Sequence, residues 1–138
     1  MSRFHGSGCR MSVLMQIALG GAIGASLRHL LGVQVARIAG TAFPWSTLSV
    51  NVIGSFVMGL AAMLLLRRMD LGLAHFAPFL MTGVLGGFTT FSAFSLDAFL
   101  LAERGRPDLA VAYAVGSVVA GLVAFALGLW LARPAGLA

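Results

Sequence analysis

Residues 81–97, MTGVLGGFTTFSAFSLD, hold most of the groups in this sequence that could do chemistry. The three glycines of this segment each lower helix stability by about 1 kcal/mol relative to Ala, and the adjacent Thr89 and Thr90 compete for backbone hydrogen bonds. We therefore predict a helix break between Gly86 and Thr90. Carbonyl groups freed in an apolar interior need another partner, and a bound cation can satisfy several of them at once. A continuous helix that is kinked and tightly packed would explain the glycines equally well.

The other polar side chains within apolar stretches are few, and they include Asn51, Tyr113 and Ser117. None of them belongs to a Ser/His/Asp set, a metal-ligand cluster or a phosphate-binding loop. The chain is therefore not expected to be an enzyme. An amide such as that of Asn51 can join neighbouring helices in a membrane through hydrogen bonds.

The composition is that of a membrane protein, with 59% apolar and 9% charged residues in a chain of 138. A water-soluble domain needs far more charge on its surface. Four stretches lack Asp, Glu, Lys and Arg, and a helix of about 20 residues crosses the bilayer. They are residues 11–27, 38–66, 71–96 and 109–132. The first stretch is short, but apolar residues resume after Arg28, so we expect this helix to continue with one buried arginine.

These stretches predict an all-α membrane protein with four transmembrane helices and a broken third helix. The helices are expected at about residues 11–38, 46–66, 76–102 and 108–132, which together form one domain over residues 11–132. Residues 1–10 and 133–138 are expected to be tails. A signal peptide is the competing interpretation of the N-terminus, because arginines precede an apolar stretch there, but no clear cleavage site follows.

The positive charge is spread thinly over short loops. The formal net charge is +5, and no basic run exceeds two residues. Such loops suit contact with lipid headgroups, and a nucleic-acid partner is not expected.

The arginines are nearly balanced between the two sides of the membrane. The tails and the loop after the second helix share one side, with Arg3, Arg10, Arg67, Arg68 and Arg133, whereas Arg37, Arg104 and Arg106 lie opposite. Cytoplasmic loops normally hold a clear excess of Lys and Arg, so this weak bias could let the chain insert in both orientations. Dual insertion would permit an antiparallel two-fold dimer. A single orientation set by Arg67 and Arg68 fits the charges equally well.

Small residues recur at helix-packing intervals, as in Gly20 with Gly24 and Gly83 with Gly87. In lipid such pairs let helix backbones approach closely. The pattern supports a helix bundle or a dimer, and it does not indicate a function.

Residues 86–94, GGFTTFSAF, resemble the Gly-x-x-Thr-Thr-Phe-Ser-Thr-Phe signature of the Fluc/CrcB family of fluoride channels. The second predicted helix begins with PWSTLSVNVIG at residues 44–54, which is similar to the family's Trp-Gly-Thr-Leu-x-Val-Asn-x-x-Gly pattern. The first helix has a glycine-rich opening followed by Arg28, as the family does, and Tyr113 and Ser117 match the start of the polar track in the family's fourth helix. The resemblance covers residues 15–132.

The resemblance implies an antiparallel, dual-topology homodimer in the bacterial inner membrane. Each of its two pores would pass toxic cytoplasmic fluoride out of the cell, passively and down its electrochemical gradient. The broken third helices would meet at the dimer centre, where the backbone carbonyls of Gly86 and Thr89 from each chain would hold a structural sodium ion that is not transported. Carbonyl oxygens can satisfy an alkali cation, so no acidic side chain is needed there.

The resemblance also implies a pathway of weak donors for the anion. Ring edges carry the positive part of the aromatic quadrupole and can face an anion, while amides and hydroxyls donate hydrogen bonds to it. The implied pathway residues are Asn51, Thr90, Phe91, Ser92, Phe94, Tyr113 and Ser117. The alternative is that the two phenylalanines face lipid and that the Asn51 amide only joins two helices.

The sequence departs from the family pattern in several places. Ala93 replaces a threonine, and Gly121 and Phe125 occupy the turns after Ser117 where the family often has Ser or Thr. The polar track is therefore shortened. Asp97 and Arg28 are structural or vestibule candidates. For Asp97 a capping role, pairing with Arg28 or Arg104 and a role in gating all stay open.

Two other classes of protein remain possible on the sequence. A small dual-topology multidrug or cation exporter also has four short helices, but proton coupling requires an acidic residue in the membrane, usually early in the chain. The first two predicted spans have none. A non-transporting membrane assembly protein would tolerate apolar replacements of Asn51 and Phe94.

Overall fold

The computed structural model describes residues 6–67 and 73–133. The helices α1 and α2 cover Gly6–Ala39 and Trp45–Arg67. A 3₁₀ turn at Leu73–Phe76 precedes a π-helical segment at Pro78–Leu85, which continues into the short helix α3 at Gly86–Phe88. The helices α4 and α5 cover Phe91–Glu103 and Pro107–Leu131.

Within residues 6–67 and 73–133, four helical stretches are long and apolar enough to cross a membrane, which confirms the predicted all-helical architecture. They are Met11–Ala39, Trp45–Leu65, Pro78–Glu103 and Pro107–Leu131. Large apolar side chains such as Leu30, Leu122 and Trp130 are 62%, 65% and 64% exposed on the outer faces of these helices. Exposed apolar faces of this kind are suited to contact with lipid, because the lipid tails are as apolar as these side chains.

The predicted tails are described only in part. Helix α1 covers Gly6–Ala39 and so includes residues 6–10 of the predicted N-terminal tail. Residues 1–5 and 134–138 of the predicted tails lie outside the described residues, as does Arg68 of the arginine pair proposed to set orientation.

Glycines bring the helices together at the predicted intervals. A Cβ atom at Gly24 of α1 would overlap the backbone oxygen of Val84 in the π-helical segment. A Cβ at Gly59 of α2 would likewise overlap the backbone oxygen of Phe125 in α5. The backbones therefore touch at both places, and α1 holds the first half of the third span while α2 holds α5.

The third span is broken, and the continuous kinked helix considered above is wrong. Thr89 (φ −77°, ψ 157°) and Thr90 (φ −151°, ψ 117°) are extended between α3 and α4. The hydroxyl of Thr90 accepts a hydrogen bond from the amide of Ala93 at 3.2 Å. This is an N-cap, which satisfies one of the free amides at the start of a helix and lets α4 begin directly after the break.

Candidate functional site

The break is held by one side chain of α2. The Oδ1 atom of Asn51 accepts a hydrogen bond from the amide of Thr90 at 2.8 Å, and its Nδ2 atom donates to the carbonyl of Thr90 at 3.0 Å. Asn51 therefore satisfies both backbone groups of an extended residue that has no helical partner. An amide NH₂ has two donors, so one N–H of Asn51 is not used by Thr90. Asn51 also lines the cavity described below.

Several backbone carbonyls lose their usual helical donors at the break, because the end of a helix leaves its last carbonyls without intrahelical partners. In a continuous α-helix the carbonyl of Gly86 would accept from the amide of Thr90, but that amide donates to Asn51. The carbonyl of Thr89 would accept from the amide of Ala93, which donates to the hydroxyl of Thr90. Gly86 and Thr89 are the residues of the predicted sodium site, which stays a prediction.

Acidic and imidazole side chains do not contribute a metal site in the part of the chain that the structure describes. No three of His, Cys, Asp and Glu lie together there. A cation at the break would depend on the backbone carbonyls.

A cavity of about 440 Å³ lies between α2, the break and α5, and we call it the α2–α5 cavity. It is lined by Asn51, Ser55, Met58, Thr89, Thr90, Phe91, Phe94, Ser117, Val118, Gly121, Leu122 and Phe125. Five of the predicted pathway residues therefore lie around one space. The lining contains amide and hydroxyl groups and aromatic rings, and it contains no charged side chain.

The two phenylalanines of the motif lie side by side in this lining. The ring centroids of Phe91 and Phe94 are 5.3 Å apart, with the planes inclined by 40°. Phe94 also packs against Tyr113 at 5.3 Å, whereas Phe91 is 77% exposed. The Phe94 ring is therefore fixed by the protein on its far side, and the Phe91 ring has an open side as well as its side toward the cavity.

Ser117 presents an unpaired hydroxyl. It is 9% exposed, and its Oγ atom has no hydrogen-bond partner among the described residues. A buried hydroxyl without a partner costs about 1–3 kcal/mol.

Ser92 and Tyr113 lie away from the α2–α5 cavity, unlike the other predicted pathway residues. Ser92 lines a second cavity of about 280 Å³ together with Arg28, and its hydroxyl is 3.2 Å from that of Thr90. Tyr113 is 1% exposed, and its hydroxyl donates to Asp97 at 3.5 Å. Thr90 lines both cavities.

Asp97 is bound by hydroxyl groups of two other helices. Its Oδ2 atom accepts a hydrogen bond from Thr47 Oγ1 at 2.6 Å in addition to the one from Tyr113. The one salt bridge within residues 6–67 and 73–133 joins Arg106 to Asp108 at 3.1 Å, so Asp97 pairs with neither candidate arginine in this chain.

Two residues of this region were not predicted from the sequence. Ser55 lies four residues after Asn51, and this spacing places two side chains on the same face of a helix, which was a usable signal. Thr47 lies 50 residues from its partner Asp97, and nothing in one sequence indicates that contact.

The comparisons with known proteins agree with this geometry. The family profile described as CrcB-like protein, Camphor Resistance (CrcB), matches residues 15–129. A fluoride-specific ion channel FluC of Chelativorans sp. (strain BNC1) is 52% identical over 120 residues, covering 87% of this chain and 95% of the relative. The FluC of Cereibacter sphaeroides (strain ATCC 17029 / ATH 2.4.9) is 55% identical over 117 residues, covering 83% and 91%. That of Mesorhizobium japonicum is 48% identical over 120 residues, covering 87% and 95%. This chain therefore belongs to the CrcB/FluC family of fluoride-specific ion channels, which are multi-pass membrane proteins and not enzymes.

Proposed function

We propose that this chain is a fluoride-selective channel that lets toxic cytoplasmic fluoride leave a bacterial cell passively, across the inner membrane and down its electrochemical gradient. The observation that carries the proposal is the α2–α5 cavity, where Phe91 and Phe94 lie with Asn51 and the unpaired hydroxyl of Ser117. The names of the relatives, which are fluoride-specific ion channels, support the choice of ion.

The lining suits a small, strongly hydrated anion that must be bound and then released. Several weak donors can replace the water around fluoride, whereas a fixed positive charge would trap it. The edges of the two phenylalanine rings carry partial positive charge, so they would also attract fluoride where the wall of the path is apolar. A path without any charged side chain therefore permits both entry and exit.

We assign Arg28 and Ser92 to a vestibule that leads to this path. They line the second cavity, which shares Thr90 with the α2–α5 cavity. A guanidinium at the mouth would raise the local concentration of anions without standing in the path itself. Tyr113 would act on the path through Phe94, whose ring it supports.

The proposal includes a homodimer with antiparallel subunits around one structural sodium ion. Gly86 is exposed in the single chain, and its carbonyl and that of Thr89 are among those that lose their helical donors at the break. Two chains related by a two-fold axis would offer four such oxygens to one cation. Sodium would then stabilise the assembly and would not be transported.

Removing sodium provides a test of the proposed homodimer and its sodium ion. In buffers with N-methyl-D-glucamine as the cation, we expect the dimer fraction in gel filtration and the fluoride efflux from liposomes both to fall. Both should return when sodium is added, because the cation would again bind carbonyls from two chains. A dimer that is unaffected by prolonged dialysis against sodium-free buffer with a crown ether would contradict the sodium site.

Efflux from liposomes that contain the purified protein tests the function itself. We expect fluoride efflux to exceed chloride efflux by at least about 100-fold, as a difference of about 3 kcal/mol in transfer free energy would give. Protein-free liposomes are the control for leak. Equal efflux of the two halides would exclude a selective fluoride pore.

A further inference from the structure

We propose that Ser55 of α2 donates a hydrogen bond to the permeating anion in place of the hydroxyls that α5 lacks after Ser117. The inference rests on the proposed fluoride path. Beyond Ser117, the residues of α5 that line the cavity at the next two turns are Gly121 and Phe125, and neither side chain can donate. The path beyond Ser117 would have no donor from α5.

Ser55 lies where the missing donor would be. It follows Asn51 by one helical turn on the same face of α2, and it lines the same cavity. Its Oγ atom is 3.5 Å from the position that a Cβ atom at Gly121 would take. The two helices therefore meet here with the hydroxyl on α2 and none on α5.

The hydroxyl of Ser55 is also free. Serines on the outer faces of helices bond to their own backbone, as Ser26 does to the carbonyl of Ala22 at 2.8 Å and Ser95 to that of Phe91 at 3.0 Å. Within the described part of the chain Ser55 makes no such bond. A serine in an apolar helix normally satisfies itself in this way, so Ser55 differs from these two serines in keeping a hydroxyl that can donate within a mainly apolar cavity.

The first test replaces Ser55 with Ala and measures fluoride efflux from liposomes. We expect efflux to fall about three- to tenfold, the amount that one lost hydrogen bond gives. Ser26→Ala and Ser95→Ala are matched controls, since each removes a helix hydroxyl that bonds only to its own helix, and both should conduct like the wild type. Wild-type efflux from Ser55→Ala would overturn the inference, whereas a wild type that does not conduct fluoride would instead overturn the proposed function.

A second test moves the hydroxyl across the cavity. The one atom within 4 Å of a Cβ at Gly121 is the Oγ of Ser55, so Ser55→Ala removes the sole neighbour and leaves room for a serine on α5. We expect Ser55→Ala/Gly121→Ser to regain most of the fluoride efflux and Ser55→Ala/Gly121→Ala to stay low. Equal recovery in both double variants would show that volume matters and not the hydroxyl, and it would overturn the inference. Recovery in the serine variant alone also shows that the loss in Ser55→Ala was not a failure to fold.

Discussion

Replacing Asn51 with Asp is expected to lower fluoride efflux at least about 100-fold. The substitution puts a carboxylate beside the anion path, and two like charges about 4 Å apart repel by about 4 kcal/mol at an effective dielectric constant near 20. It also removes the donor that bonds the carbonyl of Thr90. Efflux from liposomes, with protein content matched by gel filtration and immunoblot, measures the effect.

A comparison with Asn51→Ala separates the two causes. The alanine variant loses both hydrogen bonds to Thr90 but adds no charge, so it should conduct better than Asn51→Asp if repulsion dominates. Undiminished efflux in Asn51→Asp would remove Asn51 from the path.

Replacing Gly24 with Ala is expected to lower the free energy of unfolding by about 1–3 kcal/mol. A Cβ atom at Gly24 would overlap the backbone oxygen of Val84 and lie 2.8 Å from the amide nitrogen of Phe88. Backbone atoms cannot turn away as a side chain can, so α1 must separate from the third span, and overpacking of this kind costs about 1–3 kcal/mol. Denaturant titration of the protein in detergent, followed by circular dichroism, measures the loss.

Gly21→Ala is the matched control on the same helix. A Cβ atom there meets nothing within 4 Å, so the variant should gain up to about 1 kcal/mol from the better helix propensity of alanine. Equal stability of the two variants would mean that α1 does not contact the third span at Gly24.

Several features of the fold follow from local properties of the sequence. Gaps between charged residues predict the spans because charge is costly in hydrocarbon at any position along the chain. The break was predicted in the same way, since Gly86, Gly87 and the two threonines weaken the helix wherever it packs. The family match also removes the two other protein classes considered, the exporter and the assembly protein.

The extent of the break depends on contacts between distant residues. Only Thr89 and Thr90 leave the helix, and Gly86 stays helical in α3. The hydrogen bonds between Asn51 and Thr90 join residues 39 positions apart, and a single sequence does not indicate such a contact. The π-helical segment at Pro78–Leu85 was likewise not predicted, because the change from i+4 to i+5 bonding has no strong pattern in residue types.

The candidate site also combines features that the local sequence predicts with features that depend on contacts between distant residues. The motif indicates that Phe91, Phe94 and Asn51 share a function, and all three line one cavity. It does not indicate that Tyr113 lies behind Phe94 with its hydroxyl on Asp97, since that depends on how α4 packs against α5. Helical spacing alone could have found Ser55.

Thr90, which lines both cavities, is held through its backbone and through its side chain. Asn51 holds both backbone groups of Thr90, and the hydroxyl of Thr90 is engaged by the amide of Ala93. A rotamer change there would give up the cap of α4. If ions follow the path that we propose, the rate at which they pass Thr90 should be set by how readily they shed water, and the temperature dependence of transport should reflect dehydration more than protein motion.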